Sequence, residues 1–371
     1  MNICYLTSVR LPTERPHGYA VAKMCESMVK LGHTLTLLSP EKTSFMGSDM
    51  FSYYQVERTF VHERVPTTDL LYWEQIGGRL SYWIDFSSFV LVLLACRGVL
   101  IREADICYTR EPYLALFLPR RKTVLEMHTM PANTRLMRRL LRTVRRVAAI
   151  SHGLAEDIQM QTGRSDIVVI PDAVDVTRFA TLPSRAEACG TLELPADKSI
   201  VVYTGNFYPW KGVDTLAAAA AFLPETHVVV VGGTDEYDYQ RILEKGRGIA
   251  NLTIRRFEDA SRMPVYFAAA DVLVIPNAKG TAISERHTSP LKLFEYMAVG
   301  KPIVASDLPS LREVLDDDTA IFFRPDDPVS LAAAVRRALE PERASPLGVA
   351  CKTRVALYSW GQRAAKALAG L

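Results

Sequence analysis

Short β-branched and apolar runs alternate with longer stretches of helical periodicity along almost the whole chain. Strands buried on both faces of a parallel sheet give such continuous apolar runs, and the intervening patterns predict helices. In the first half the predicted strands are residues 2–6, 34–38, 106–108, 123–127, 147–150 and 167–170. In the second half they are residues 200–204, 227–231, 252–255, 272–275, 303–305 and 320–323. This α/β alternation predicts two doubly wound, Rossmann-like parallel sheets with helices on both faces.

The division into two domains follows from the weakest region for regular structure, residues 172–198, which contains Pro183 and Pro195. We therefore expect an N-terminal domain at residues 1–180 and a C-terminal domain at residues 195–354. Residues 355–371 read as a terminal helix. Since ligands bind beyond the carboxyl ends of strands in open α/β sheets, two facing domains predict a deep cleft between them.

Composition narrows the class of protein. A chain of 371 residues with 49% hydrophobic and 23% charged residues suits a soluble two-domain enzyme. The net charge of +3 is too small to indicate nucleic-acid binding. Six scattered cysteines without metal-like spacing, no signal-peptide pattern, and an apolar run at 86–96 that is shorter than a membrane span predict a cytoplasmic protein.

Two features of the first half could contact a partner or a membrane. The stretch 135–147 is predicted to be a basic amphipathic helix, which would either make peripheral contact with the inner face of a membrane or present a solvated basic face. Its apolar face holds Leu136, Met137, Leu140, Leu141, Val144 and Val147, and its basic face holds Arg135, Arg138, Arg139, Arg142, Arg145 and Arg146. The second feature is an aromatic stretch, for which a place in the hydrophobic core is favoured over a place at a binding surface. It comprises Tyr72, Trp73, Tyr82, Trp83, Phe86 and Phe89.

The most informative stretch of the sequence is 289–302, SPLKLFEYMAVGKP. Ser289 is expected to cap a short helix, with Pro290 at its first position and Gly300 at its end. Lys292 and Glu295 lie three residues apart and therefore on one side of that helix. The amides at its N-terminus, around Thr288 to Leu291, suit a phosphate group.

A second candidate phosphate site follows the first strand of the second half. There Gly205, Asn206 and the loop up to Lys211 join a strand to a helix start, so amides and one ammonium can meet a phosphate. In the first half His128 and Arg110 each follow the carboxyl end of a strand, and Gly18 lies after the first strand. His128 is the candidate catalytic residue, although a lone histidine in such a place is also a common structural feature.

The run from Ser289 to Pro302 resembles the nucleotide-sugar-binding segment of the retaining glycosyltransferases of family 4, which have the two-domain GT-B fold. The resemblance implies that Glu295 binds the ribose hydroxyls and that Lys211 and the amides before Glu295 bind the diphosphate. It further implies that His128 lies next to the donor sugar and that a flexible glycine loop at Gly18 approaches the diphosphate or the acceptor. It also implies that the terminal helix, 355–371, packs back on the first domain.

The sequence departs from the family pattern at two positions. Asn206 stands where many members have an arginine, so one cationic contact is missing. His287 stands where many members have a first glutamate that touches the transferred sugar, and Glu285 lies two residues earlier. Which of Glu285, Arg286 or His287 faces the sugar is left open.

The resemblance implies a metal-independent retaining glycosyltransferase that needs no cofactor. Its substrates would be a UDP- or GDP-linked hexose and the hydroxyl of an acceptor glycan or lipid-linked sugar, in the assembly of polysaccharides, glycolipids or other glycoconjugates. Two alternatives stay open. One is a nucleotide-sugar-binding partner subunit without turnover, and the other is a GT-B sugar-nucleotide epimerase.

Overall fold

The computed structural model describes residues 1–44, 46–47, 49–70 and 78–371, and for Arg79 the backbone alone. The chain divides into two compact units. The first contains residues 1–150, 154–171 and 360–371, and the second contains residues 151–153 and 172–359.

The described residues of the first unit form a seven-stranded parallel sheet in the order β3-β2-β1-β4-β5-β6-β7. Its strands are β1 (Asn2–Leu6), β2 (Thr34–Glu41), β3 (Val61–Pro66), β4 (Ile106–Thr109), β5 (Thr123–Met127), β6 (Arg146–Ala149) and β7 (Val168–Val169). Its helices are α1 (Pro16–Lys30), α2 (Met50–Tyr54), α3 (Arg79–Glu103), α4 (Pro112–Ala115), α5 (Arg135–Thr143), α6 (His152–Thr162) and, at the end of the chain, α16 (Trp360–Leu368). The first two residues of α6 belong to the second unit.

The second unit has a six-stranded parallel sheet in the order β10-β9-β8-β11-β12-β13. Its strands are β8 (Ser199–Gly205), β9 (Thr226–Gly232), β10 (Leu252–Arg256), β11 (Val272–Ile275), β12 (Ile303–Ser306) and β13 (Ile321–Phe323). Its α-helices are α7 (Arg185–Thr191), α8 (Val213–Ala220), α9 (Glu236–Lys245), α10 (Met263–Ala269), α11 (Ala282–Glu285), α12 (Leu291–Val299), α13 (Pro309–Arg312), α14 (Pro328–Leu339) and α15 (Pro341–Val355). One-turn 3-10 helices occur at Val176–Phe179, Pro209–Lys211, Ala260–Arg262 and Ala356–Tyr358.

The predicted α/β architecture of two doubly wound parallel sheets is confirmed, and each of the twelve predicted strands lies within or overlaps an observed one. The strand that sequence reasoning missed is β3, at the edge of the first sheet. Of its six residues only Val65 is buried, and His62, Glu63 and Arg64 interrupt the apolar pattern. Edge strands carry charged side chains that discourage pairing with other chains, so they lack the apolar run of a central strand.

The structure places the boundary between the units differently from the sequence prediction. Residues 172–180 belong to the second unit rather than to a domain ending at 180, because Phe179 packs in the core of the second unit and Val174 pairs with Ser359. Residues 355–371 are not one helix. The helix α15 ends at Val355 in the second unit, and α16 is a separate helix of the first unit that packs against α1.

The apolar run at 86–96, expected to be too short to cross a membrane, lies within the 25-residue helix α3. Within the described part of the chain, one helical segment, Leu80–Glu103, is long enough and apolar enough to cross a bilayer, judged by length and composition alone. The prediction of a core role for the aromatic stretch is only half right. Phe86 and Phe89 are buried, but Tyr82 and Trp83 are 46% and 41% exposed. Tyr72 and Trp73 lie outside the described residues.

The predicted basic helix at 135–147 is shorter than expected. The helix α5 ends at Thr143, Val144 is extended, and Arg146 begins β6, which pairs with β5. The apolar side chains that would face a membrane are used by the core instead: Met137, Leu140, Leu141, Val144 and Val147 are buried. Of the six predicted apolar positions only Leu136 is exposed.

The prediction of a flexible loop at Gly18 is also wrong, because Gly18 lies in the first turn of α1 and is buried. The position requires glycine for space. A Cβ there would lie 2.0 Å from the Tyr54 hydroxyl oxygen and 2.7 Å from the Thr13 methyl carbon. Tyr54 cannot move aside easily, because its hydroxyl accepts a hydrogen bond from the Thr13 amide and donates one to the Thr13 carbonyl.

We expect Gly18→Ala to lower the free energy of unfolding by about 1–3 kcal/mol, the usual cost of overpacking. The matched control is Gly98→Ala in the C-terminal half of α3. There the nearest atom to the new methyl group is 3.9 Å away, and replacing a helical glycine raises stability by roughly 0.5–1 kcal/mol. Urea unfolding of both variants measures the difference. Equal effects of the two substitutions would contradict the packing role of Gly18.

Candidate functional site

The helix α12 carries the motif residues of the second unit, but its start differs from the prediction. Pro290, not Ser289, is the N-cap residue, and it makes no side-chain cap. The Ser289 hydroxyl instead accepts a hydrogen bond from the Asp172 amide at 2.9 Å. The helix ends as predicted at Gly300, which has a left-handed φ of 72°.

Lys292 extends from α12 to the carboxyl end of β8. Its Nζ is buried without a hydrogen-bond partner and lies 3.6 Å from the centroid of the Tyr203 ring. Gly205 makes room for it, since a Cβ at Gly205 would lie 2.7 Å from that Nζ. Gly205 also has a φ of 127°, which side-chain-bearing residues rarely adopt. The pairing of Gly205 with Lys292 therefore leaves a buried ammonium group with unused donors.

Lys211 and Glu295 complete the electrostatics around Lys292. The Nζ of Lys211 lies 3.8 Å from the centroid of the Trp210 ring, and burial lowers the pKa of Lys211 to about 7. The pKa of Lys292 lies well below its usual range, first because of burial and then because of repulsion by Lys211, against the attraction of Glu295. Burial raises the pKa of Glu295, although Arg178 and Lys292 oppose the change. The three residues thus form one coupled group in which positive charge is disfavoured without a ligand.

The remaining predicted residues of the second unit lie nearby in sequence but have other partners. His287, Thr288 and Ser289 are buried, each less than 8% exposed. Glu285, at the end of α11, accepts a hydrogen bond from the Gly280 amide at 2.7 Å. These contacts do not decide which residue of the turn meets a sugar.

Asn206 contacts neither lysine through a described hydrogen bond. Its side-chain carbonyl accepts from the Thr234 hydroxyl at 2.9 Å, and its backbone carbonyl accepts from the Tyr203 hydroxyl at 2.7 Å. Tyr203 therefore connects this loop to Lys292. The ring of Tyr203 was not singled out by the sequence, because its alternation within β8 is that of an ordinary core residue.

In the first unit His128 and Arg110 meet at the carboxyl ends of β5 and β4. The Nε2 of His128 lies 2.6 Å from Oε1 of Glu126, within the same strand end. The Arg110 guanidinium lies against the imidazole, with Nε 2.8 Å from Nε2 and Nη2 3.0 Å from Nδ1. The His128 side chain is 24% exposed, whereas Glu126 is fully buried. Glu126 and Arg110 thus hold the imidazole in place, and the His128 side chain remains partly accessible to solvent.

Glu126 also binds the end of the chain, a role that sequence reasoning missed. Arg363 of α16 donates to both carboxylate oxygens, at 3.0 and 2.9 Å, and Tyr108 donates to one of them. Burial by itself would raise the pKa of Glu126, but Arg363, Arg110 and His128 hold it well below its usual range. A glutamate inside an otherwise apolar strand, two residues before a histidine, is the signal that the sequence offered.

The described ranges contain no group of three or more His, Cys, Asp or Glu side chains that could hold a metal ion.

We expect Arg363→Leu to lower the free energy of unfolding by about 3–5 kcal/mol, because it leaves the buried Glu126 carboxylate without its bidentate partner. Urea unfolding measures the loss. The double variant Arg363→Leu/Glu126→Leu should recover part of it, since both charges are then removed together.

The matched control is Glu57→Leu, which breaks an exposed ion pair with Lys30 in the same unit. Exposed pairs contribute less than about 1 kcal/mol. A loss in Arg363→Leu no larger than in Glu57→Leu would show that Glu126 does not depend on the last helix.

Comparison with known proteins agrees with this arrangement. The family model described as glycosyl transferases group 1 matches residues 198–341. The D-inositol 3-phosphate glycosyltransferase of Kineococcus radiotolerans is 28% identical over 223 residues, 53% of this chain and 49% of that protein. The phosphatidyl-myo-inositol mannosyltransferase of Mycolicibacterium smegmatis is 32% identical over 215 residues, 56% of this chain and 52% of that protein. The chain spans about half the length of these curated relatives.

Solved structures match over nearly the full chain. Sucrose-phosphate synthase from Thermosynechococcus elongatus has a TM-score of 0.75 at 21% identity, covering 98% of this chain and 96% of its own. HepE from Anabaena, solved in complex with UDP and glucose, has a TM-score of 0.73 at 16% identity, covering 100% and 99%. At these identities the structures show the fold alone. The chain thus has the GT-B fold, and its residues 198–341 match the model of the glycosyl transferases group 1, in agreement with the resemblance drawn from the motifs.

Proposed function

We propose that this protein transfers a hexosyl group from a nucleotide-diphosphate sugar to an acceptor hydroxyl, with retention of the anomeric configuration. The observation that carries the proposal is the coupled pair Lys211 and Lys292. Both ammonium groups are disfavoured in the free protein, and the Nζ of Lys292 has no hydrogen-bond partner. A diphosphate supplies the negative charges and the acceptor oxygens that this pair lacks.

The chemistry of transfer follows from the same residues. As the bond to the sugar breaks, negative charge develops on the diphosphate, and two fixed ammonium groups stabilise it without reorganisation. Glu295, three residues after Lys292 on α12, is proposed to bind the ribose hydroxyls. We further propose that no metal and no cofactor is needed, that the departing phosphate helps to take the acceptor proton, and that His128 is the catalytic residue of the first unit.

The names of the relatives guide the choice of acceptor. One relative is named as acting on an inositol phosphate and another on a phosphatidyl-inositol, both of them polyol head groups. We propose an acceptor of this general kind, a phosphorylated polyol or a glycan that is free or lipid-linked, and a cytoplasmic location at the inner face of a membrane. HepE was solved with UDP and glucose, which supports a UDP-linked donor as the first to test.

A partner subunit without turnover is the second candidate, and one observation favours it. His287 stands where many family members have a glutamate that contacts the sugar, and it is only 6% exposed. Such a subunit would bind the donor without releasing nucleotide. Binding and turnover must therefore be measured separately.

The first test is a thermal-shift screen of UDP, GDP, ADP and their common sugar conjugates, with and without EDTA. We expect one nucleotide series to raise the melting temperature whether or not EDTA is present, because binding to the native state alone stabilises it. Glu295→Ala and Lys211→Ala should each abolish the shift. The matched control is Glu244→Ala, at an exposed position of α9 in the same unit, which should leave the shift unchanged. Full shifts in both site variants would refute the assignment of the donor site.

Donor binding should also take up protons. Lys211, with a pKa of about 7, is mostly neutral at pH 8 and must be protonated when the diphosphate binds. The sign follows directly: affinity is highest below pH 7 and falls as the pH rises, by up to about tenfold per unit for each lysine. A sugar diphosphate such as UDP-glucose is the suitable ligand, since its esterified phosphates do not titrate in this range.

Calorimetry at pH 8 in two buffers of different ionisation enthalpy measures this uptake. We expect roughly one to two protons per donor in the wild-type protein. Lys211→Arg should reduce the uptake by about one proton, because arginine is charged throughout this range. Tight binding without any uptake at pH 8 would show that the lysines are already charged in the free protein.

A further inference from the structure

The helix α3 exposes an apolar face that runs along its length. Four of its side chains share this face at helical spacing, a fifth, Val99, lies beside them, and each of the five is more than a third exposed. They are Leu80 at 68%, Ile84 at 43%, Leu91 at 69%, Leu94 at 39% and Val99 at 58%. A helix at the surface of a soluble protein normally presents polar residues there, and contiguous exposed apolar surface marks an interaction site.

The opposite face of α3 is packed on the first sheet. Phe86, Phe89, Val90, Leu93 and Ile101 belong to a core cluster with residues of β1, β2, β3 and β4. Asp85, 2% exposed, is held by the Lys42 ammonium at 2.6 Å. The helix therefore lies flat on the unit with one side buried, which is the arrangement of a helix that lies on a membrane rather than one that crosses it.

Aromatic side chains extend the exposed surface at the start of α3. Tyr82, Trp83, Tyr113 and Phe117 are each 39–47% exposed. The Trp83 and Tyr113 rings are 5.3 Å apart, and Phe117 lies 6.4 Å from Phe86. Tyrosine and tryptophan favour the boundary between lipid head groups and acyl chains, because each has an apolar ring and one polar atom.

Charge is distributed to suit an anionic surface. Between Arg79 and Arg97 the only charged residue of α3 is Asp85, which is buried. Basic residues gather at the C-terminal end, where Lys122 donates to the Arg102 and Ala104 carbonyls. Arg102 and Arg121 are exposed there, beside the exposed Glu103. Such an uncharged face with cationic residues at its end complements anionic lipids, at about 1 kcal/mol per basic residue near the surface.

We propose that the exposed face of α3, with Tyr82, Trp83, Tyr113 and Phe117, docks the first unit on an anionic lipid bilayer. The proposal is independent of the sugar-transfer activity. It moves the membrane contact from residues 135–147, where five of the six apolar side chains lie in the core, to a helix that has one exposed apolar face.

The start of α3 lies near the carboxyl ends of the strands of the first sheet. The Trp83 ring lies 5.3 Å from the ring of Tyr113, two residues after Glu111, and Glu111 accepts a hydrogen bond from the Ser8 hydroxyl. Ser8 follows the carboxyl end of β1, and Glu111 follows that of β4. The aromatic end of the docking surface therefore adjoins the sheet edge where His128 and Arg110 lie, so a head group emerging from the bilayer would reach that edge.

Cosedimentation of the full chain with vesicles of phosphatidylcholine containing phosphatidylglycerol tests the proposal. We expect the wild-type protein to bind, and the triple variant Leu80→Gln/Ile84→Gln/Leu91→Gln to bind at least tenfold more weakly. The matched control is Leu136→Gln/Met160→Gln/Val61→Thr, which changes three exposed apolar residues elsewhere in the same unit and should bind as the wild type. Nucleotide-induced thermal shifts of each variant report on the second unit and show separately whether the proposed function holds.

Quenching of tryptophan fluorescence by brominated acyl chains locates the contact. We expect quenching in the wild-type protein and its loss in Trp83→Phe. Wild-type protein that remains in the supernatant would overturn the proposal, as would a triple variant that binds normally. Dimerisation that the triple variant abolishes, without vesicle binding by either protein, would assign the surface to a second copy of the chain and equally overturn it.

Discussion

The first unit depends on the ion pair between the buried carboxylate of Glu126 and Arg363. Removing a carboxylate from water is costly unless several donors meet it, and here Arg363, Tyr108 and His128 do so, with Arg110 close by. These donors come from two strands, the loops that follow them and the last helix of the chain. The Glu126 carboxylate therefore holds α16 against the sheet of the first unit and orients the accessible imidazole of His128.

The second unit contains two buried lysines instead of a buried carboxylate with its donors. Burial disfavours the charge of both Lys211 and Lys292, and Lys211 adds repulsion at Lys292. Neither ammonium is paired with a carboxylate through a described hydrogen bond. Aromatic faces at Trp210 and Tyr203 offer only a partial substitute for solvent. Such an arrangement gives up stability in the free protein, and a bound dianion would restore it. Binding sites commonly show this trade between stability and function.

The sequence was sufficient for most of the fold because buried parallel strands are continuous apolar runs. It failed where tertiary contacts decide the outcome. The edge strand β3 is charged, and Ser289 bonds to a distant amide instead of capping α12. The end of α5 at Thr143 depends on the pairing of β6 with β5, which a helical pattern of arginines conceals.

The candidate site was predictable where local motifs mark its residues, and it was not predictable where residues distant in sequence come together. Lys211, Lys292 and Glu295 were marked by local motifs, and the structure places them in one coupled group. Arg363 could not be found, since it lies 237 positions from the carboxylate that it binds. The space that Gly205 leaves for Lys292 likewise depends on two elements meeting in three dimensions.

The most direct test of the central claim is turnover of the donor followed by proton NMR. The protein is incubated with the nucleotide sugar that stabilises it most, alone and with phosphorylated polyol acceptors. The account predicts release of nucleoside diphosphate and a first-formed sugar product with the anomeric configuration of the donor. Bound donor that releases no nucleotide with or without acceptors would contradict it, and a first-formed product of inverted configuration would refute the retaining mechanism.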